Sequence, residues 1–285
     1  MRRLPPLTAL LVTIAAAAAY GVLTPAAAPA TRRIDTGYSS RALGSTLHFE
    51  VYLPAGYASS SERYPVVYFL HGLPAGAVSY QSMRFVERAL DEVGRSAILV
   101  VPQGARAGEA DPEYVDHRPG DDWADAISLE LPRVVDSRFR TIASRSGRAL
   151  VGVSAGGYGA MHLALLELDS FSVVESWSGY FHPTDPTGTV PLSLGSPDRD
   201  AGADVHEQIA TEKKRLRSGR MFIAFYVGLG DSRFRAENEQ LDRELTAAGI
   251  PHLFREFAGG HDEGLWKRHA AMWLGLALGH LAPAR

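Results

Sequence analysis

The stretch Arg148–Leu163, RALVGVSAGGYGAMHL, decides how the rest of the chain is read. Ala149, Leu150 and Val151 form a short β-branched and aliphatic run that predicts a buried strand. A tight turn follows, Gly152-Val153-Ser154-Ala155-Gly156, and then a small-residue helix beginning near Gly157. The turn fits G-x-S-x-G, in which a serine sits on a strained strand-to-helix corner. Glycines two before and two after it let neighbouring backbones pass close. The N-terminus of the helix behind the serine offers unpaired N–H groups and a positive dipole end, which favour a developing oxyanion.

Working outward, the elbow lies in a chain whose other segments alternate strand and helix. Upstream, LHFEVYLP (47–54) alternates apolar and polar residues and predicts a half-buried antiparallel strand. YPVVYFLHG (64–72) and AILVVP (97–102) are nearly continuous apolar runs, expected as buried central strands, with a helix over 81–93 between them. Residues 103–121 are rich in glycine, proline and acidic residues and read as a long surface loop. A helical period over 122–135 turns Trp123, Ile127 and Leu131 inward. Downstream, strands are expected at 172–179, 221–228 and 252–257, with helices at 236–248 and 265–281. Residues 181–214 break this rhythm and read as an insertion covering the site, like a small lid. The alternation implies an α/β fold: a mostly parallel, doubly wound sheet with helices on both faces.

A serine hydroxyl needs a general base, and the base needs an orienting carboxylate. In a fold of this kind they follow the serine in the order acid, then histidine, at the C-terminal ends of later strands. Asp231 follows MFIAFYVG after Leu229 and Gly230, and His261 follows HLFREF after Ala258, Gly259 and Gly260. Both fall on the edge that carries Ser154, because parallel strands put their C-termini on one side. His48, His162, His252, His269 and His280 lie within strands or helices and read as structural or exposed. Asp262 neighbours the histidine itself and Asp242 is mid-helix, so Asp231 is the expected acid. The oxyanion would be held by the backbone N–H of Ala155 and that of Leu73, which follows the early central strand through His71 and Gly72. His71 is expected to hold loop geometry rather than transfer protons. Trp123 and Trp266 are candidates for lining a substrate pocket, with core packing the competing reading of each. This chemistry calls for no cofactor, and no His/Asp spacing suggests a metal site.

Composition bounds the partners and the compartment. The 285 residues are 46% hydrophobic and 21% charged, with a net charge of −3, which gives no reason to expect nucleic acid as a partner. The absence of cysteine excludes disulfides, a lipoprotein anchor and Cys-based metal sites. Arg2 and Arg3 precede an uncharged run to Ala30, closed by Ala28-Pro29-Ala30. This reads as a signal peptide over 1–30, with Thr31 the first mature residue; an uncleaved N-terminal anchor is the alternative and would be the only source of membrane contact. The expected location is therefore secreted or in the cell envelope. Residues 31–285 are long enough for a single α/β domain with a full core.

The motifs FLHG, GVSAGG, GLGD and GGHDEGLW together resemble the esterase D-like branch of the α/β-hydrolases. That branch includes feruloyl and acetyl-xylan esterases, siderophore esterases, S-formylglutathione hydrolases and the antigen 85 mycolyltransferases. The resemblance runs from about Leu47 to Leu281, with FRAENEQLDRELTAAGIPHLFREFAGGH a further similar stretch. It implies the α/β-hydrolase fold, Ser154 as nucleophile, Asp231 as acid, His261 as base, and Leu73 and Ala155 as oxyanion donors. Ala155 departs from many relatives, which carry methionine there; a backbone donor survives that change, while pocket shape need not. The implied activity is that of a secreted serine carboxylesterase acting on a small-molecule or carbohydrate ester. Two alternatives stand beside it. One is an acyltransferase that moves an acyl group to a sugar hydroxyl; the other is a non-catalytic envelope-binding protein on a hydrolase scaffold.

Overall fold

The computed structural model describes residues 32–109, 113–185 and 190–285. The expected signal segment, 1–30, and Thr31 lie outside the described residues. Strands β1 (Arg32–Ser40) and β2 (Ser45–Leu53) form an antiparallel hairpin that enters the sheet. β3 (Val66–Leu70) then leads through α1 (Arg84–Val93) to β4 (Ile98–Pro102). Helix α2 (Trp123–Asp125) runs through a π-helical turn at Ala126–Glu130 into α3 (Leu131–Arg138). β5 (Arg148–Val153), α4 (Ala155–Leu166) and β6 (Val173–Trp177) follow. The chain closes with α5 (Pro197–Ala203), α6 (Val205–Leu216), β7 (Phe222–Gly228), α7 (Arg235–Ala248), β8 (Leu253–Phe257) and α8 (Glu263–Gly279).

The eight strands form one sheet in the order β1-β2-β4-β3-β5-β6-β7-β8, antiparallel through β2 and β4 and parallel from β4 onward. Continuous apolar strands are explained by helices on both faces. On β3, Val66, Tyr68 and Leu70 face a core shared with α3, α4, α6 and α7, while Val67 and Phe69 face a second core built with α1 and α8. Each such aliphatic side chain contributes roughly 1.5–3 kcal/mol when fully buried.

Chain order reverses direction at β3: β4 lies on one side of it and β5 on the other. The crevice beyond the carboxyl ends of β3 and β5 is therefore the topological switch point where ligands bind in open α/β sheets. Both Ser154, after β5, and Leu73, after β3, sit there.

The structure corrects four expectations. β2 is buried on both faces from Phe49 onward rather than half exposed; Glu50 and Tyr52 sit at 1% and 0% exposure. Helix α4 begins at Ala155, immediately after the serine, and not near Gly157. The 103–121 segment is not a surface loop throughout, because Gln103, Ala105, Glu113, Tyr114 and Val115 are buried. In the insertion at 181–214, α5 and α6 carry buried Ala203, Val205 and Ile209 into the α4 side of the core, away from the crevice.

Candidate active site

The elbow takes its shape from steric necessity. Ser154 has φ 56° and ψ −123°, a strained conformation for a residue with a side chain. Its N–H donates to Trp177 O (2.9 Å) on β6, and its carbonyl accepts from Gly157 N (2.7 Å), which starts the helix. A Cβ on Gly152 would fall 2.0 Å from Gly156 O, and one on Gly156 would fall 2.0 Å from Leu70 O. No L side chain fits at either position, so both glycines are obligatory. Eleven of the twelve residues of α4 are buried, so the helix stays in place through packing on all sides, not through an amphipathic stripe.

Ser154, His261 and Asp231 meet at the edge where β5, β7 and β8 end. His261 Nε2 lies 2.9 Å from Ser154 Oγ, and His261 Nδ1 lies 2.8 Å from Asp231 Oδ2. The Asp231 side chain is fully buried, and its other oxygen accepts from the backbone N–H groups of Arg233 and Phe234 (3.1 Å each). Burial alone would raise its carboxyl. The bond and charge of His261, with those two N–H groups, outweigh burial and hold it below the ordinary carboxylate value. Asp231 is therefore an ionised, fully hydrogen-bonded acceptor that fixes which histidine nitrogen carries a proton. The His261 ring is held edge-on between Phe234 (5.0 Å) and Trp266 (5.2 Å).

Two backbone donors border the serine. Ala155 is the first residue of α4, so its N–H has no partner within the helix. Gly72 passes directly beside the serine: a Cβ there would lie 2.9 Å from Ser154 Cβ. The N–H of Leu73, one residue on, donates to no acceptor among the described residues. His71 is buried, with Nδ1 2.9 Å from Gly72 O; burial lowers its pKa and keeps the ring neutral. This fits a role in loop geometry.

These groups open into a cavity of about 720 Å³. Its apolar wall includes Leu73, Val78, Met83, Phe85, Val153 and Trp266, and Arg233 and Glu263 stand at the His261 side. Trp266 thus lines the site, its indole N–H donating to Ser178 Oγ (3.0 Å). Trp123 does not: it is fully buried in the core with α3 and α4, under the Arg106 guanidinium. None of the described residues of 181–214 lines the cavity; much of its lining comes from 73–85. Sequence reasoning missed Val78, Met83, Phe85 and Arg233. Their residue types carry no signal that separates them from core or surface positions.

A nucleophile elbow at a sheet switch point, with an acid and a histidine on later strand ends, defines the α/β-hydrolase class. Within it, residues 40–271 match the Putative esterase family, and the chain belongs to that family. Esterase Rv1288 of Mycobacterium tuberculosis is 26% identical over 250 residues, covering 79% of this chain and 54% of that protein. The chain thus spans about half the length of that relative. Among solved structures, an S-formylglutathione hydrolase from Agrobacterium tumefaciens is similar with a TM-score of 0.72 at 20% identity, covering 88% of this chain and 96% of its own. A ferulic acid esterase is similar with a TM-score of 0.71 at 20% identity, covering 87% and 98%. These two likenesses establish the shared fold.

Proposed function

We propose that this protein is an exported serine carboxylesterase that works through an acyl-enzyme on Ser154. The observation that carries the reading is the unbroken Asp231–His261–Ser154 hydrogen-bond chain opening into an apolar-walled cavity. Membership of an esterase family supports it.

In this mechanism His261 Nε2 removes the Ser154 hydroxyl proton as Oγ attacks the ester carbonyl. The imidazolium that results is stabilised by ionised Asp231, which stays unprotonated. The carbonyl oxygen becomes an alkoxide held by the N–H groups of Ala155 and Leu73; one such donor typically contributes about 3 kcal/mol to transition-state stabilisation. The tetrahedral intermediate collapses as His261 returns its proton to the departing alcohol oxygen. Water then enters, gives a proton to His261, attacks the acyl carbon and releases the acid with Ser154 restored.

The substrate class is a small-molecule or carbohydrate ester whose acyl group fits against Leu73, Met83, Phe85 and Trp266. Export rests on Arg2, Arg3, the uncharged run behind them and Ala28-Pro29-Ala30. A panel of p-nitrophenyl esters of increasing acyl length tests the activity, with Ser154→Ala as control. Turnover that vanishes in the control supports the reading, and the preferred length sizes the acyl pocket; no turnover on any ester overturns it. N-terminal sequencing of exported protein tests the leader, with Thr31 expected first.

A further inference from the structure

The segment read as a surface loop contains two consecutive residues in the left-handed region, Glu113 (φ 55°) and Tyr114 (φ 57°). Both are buried, at 0% and 2% exposure. A bulky residue rarely adopts this conformation, and such strain persists only where surrounding contacts enforce it. The contacts are specific. The Glu113 carboxylate accepts from Tyr180 OH (2.6 and 2.8 Å) and from Thr184 Oγ1 (3.0 Å). The Tyr114 hydroxyl donates to the carbonyl of His71 (2.8 Å).

His71 in turn holds the next peptide. Its Nε2 is buried without a hydrogen-bond partner among the described residues, and Nδ1 faces Gly72 O at 2.9 Å. A neutral ring with one proton places that proton on Nδ1, where it is donated to Gly72 O. In a trans peptide the N–H points opposite to the C=O. Turning Gly72 O toward the imidazole therefore turns the Leu73 N–H away from it. Both peptides flanking Gly72 are thus clamped from the protein side, one by Tyr114 and one by His71. What is left without an acceptor among the described residues is the Leu73 N–H, beside Ser154.

Three glycines make room for this arrangement. A Cβ on Gly104 would fall 2.8 Å from both His71 Nε2 and Tyr114 Oη, and one on Gly159 would fall 2.5 Å from the Tyr114 ring. Gly72 itself admits no Cβ against Ser154.

We infer that Tyr114 is a positioning residue for the oxyanion hole: its hydroxyl, acting through His71, fixes the peptide whose N–H receives the developing charge. It rests on the esterase reading of Ser154. A donor whose direction is fixed before reaction stabilises the alkoxide without reorganisation, so loss of the brace affects the transition state more than substrate binding.

The test compares wild type with Tyr114→Phe, His71→Asn and His71→Leu. The readouts are kcat and KM on p-nitrophenyl acetate, affinity for a trifluoromethyl ketone, and thermal midpoint. The ketone adds to the serine and forms an oxyanion, so it reports on the hole directly. Tyr114→Phe should lower kcat about tenfold with KM within about twofold, and weaken the ketone by the same factor, below the 10²–10³ cost of deleting a donor outright. His71→Asn, whose amide N–H can still reach Gly72 O, should keep most of kcat while His71→Leu loses it. Unchanged kcat and ketone affinity in Tyr114→Phe, or equal activity in the two His71 variants, overturns the inference. Should Tyr114→Phe not fold, the His71 pair decides alone. Active wild type with unaffected variants removes this inference only; inactive wild type removes the esterase reading and the inference with it.

Discussion

Two of the histidine–carboxylate clusters among the described residues border cavities yet differ in what the histidine's second nitrogen meets. At the sheet edge, His261 has Asp231 on Nδ1 and the Ser154 hydroxyl on Nε2. On the helix side, His206 has Glu244 on Nδ1 and Glu237 3.8 Å from Nε2, and Glu237 also accepts from His182 Nδ1 (2.8 Å) and Phe181 N (2.8 Å). Burial alone would lower the His206 pKa, but the neighbouring Glu237 carboxylate and the bond to Glu244 push it up to about 9. Glu237, which burial would raise, is held at about 2 by the two histidines and the Phe181 N–H. A histidine with carboxylates on both nitrogens is locked as a cation and cannot take a proton. One with a carboxylate on one side and a hydroxyl on the other can. The group on the second nitrogen, rather than the pairing itself, separates a base from a clamp. His206 is a clamp, joining the insertion that carries His182 and α6 to α7.

The comparison breaks most sharply on activity. Ser154→Ala and His261→Gln should each lower kcat/KM by about 10⁴-fold or more. His206→Gln should leave steady-state ester hydrolysis within about twofold at a temperature where it is folded. Equal losses in His206→Gln and His261→Gln would erase the distinction. Asp231→Asn comes next: it keeps the shape but favours the wrong tautomer of His261, and should cost about 10³–10⁴-fold in kcat.

The clamp should answer in stability instead. Removing one partner of a fully buried ion pair costs roughly 3–5 kcal/mol. Glu237 is 17% exposed and the histidines more so, which reduces the expected loss for Glu237→Gln to about 2 kcal/mol by denaturant unfolding. Its pH dependence has a defined sign. The His206 contribution is complete below the ordinary histidine value of about 6.5 and is lost as pH rises through about 9. The Glu237 contribution is present above about 4.5 and lost as pH falls through about 2. The stability gap between wild type and Glu237→Gln should therefore be widest between these limits and narrow toward both extremes; a gap independent of pH would show that packing, not charge, joins the two elements. The smallest effect is expected from Trp266→Phe, which keeps an aromatic wall but loses the bond to Ser178. Steady-state kinetics should show KM raised about two- to fivefold with kcat nearly unchanged.

The parts of the site legible in the sequence are those where one residue type is sterically or chemically forced. Gly152 and Gly156 leave no room for a Cβ, so G-x-S-x-G survives as a readable pattern. The order of Asp231 and His261 at strand ends follows from parallel topology. Buried strands such as β3 and β7 announce themselves by continuous apolar runs.

Illegible were features set by packing between distant segments. Trp123 and Trp266 look alike in sequence, yet one fills the core and the other borders the serine. Pro- and Gly-rich composition at 103–121 suggested exposure, whereas Tyr114 is drawn inward by a carbonyl 43 residues away. The irregular 181–214 segment suggested a lid, but its described helices carry Ala203, Val205 and Ile209 into the hydrophobic core, and none of its described residues lines the cavity. The cavity wall beside the serine is built in large part from 73–85, where a 3₁₀ turn at Ser79–Ser82 precedes α1. Nor does local sequence reveal the His206 clamp, whose carboxylates come from another helix, α7.

The most direct measurement is intact-mass spectrometry after exposure to a fluorophosphonate, which phosphonylates a serine only when a base activates it. Wild type should gain one adduct, mapped to Ser154, with His206→Gln labelled at the same rate, His261→Gln labelled far more slowly and Ser154→Ala not labelled. An adduct that persists in Ser154→Ala, or wild type that takes up none, would contradict the assignment of Ser154 as the activated nucleophile.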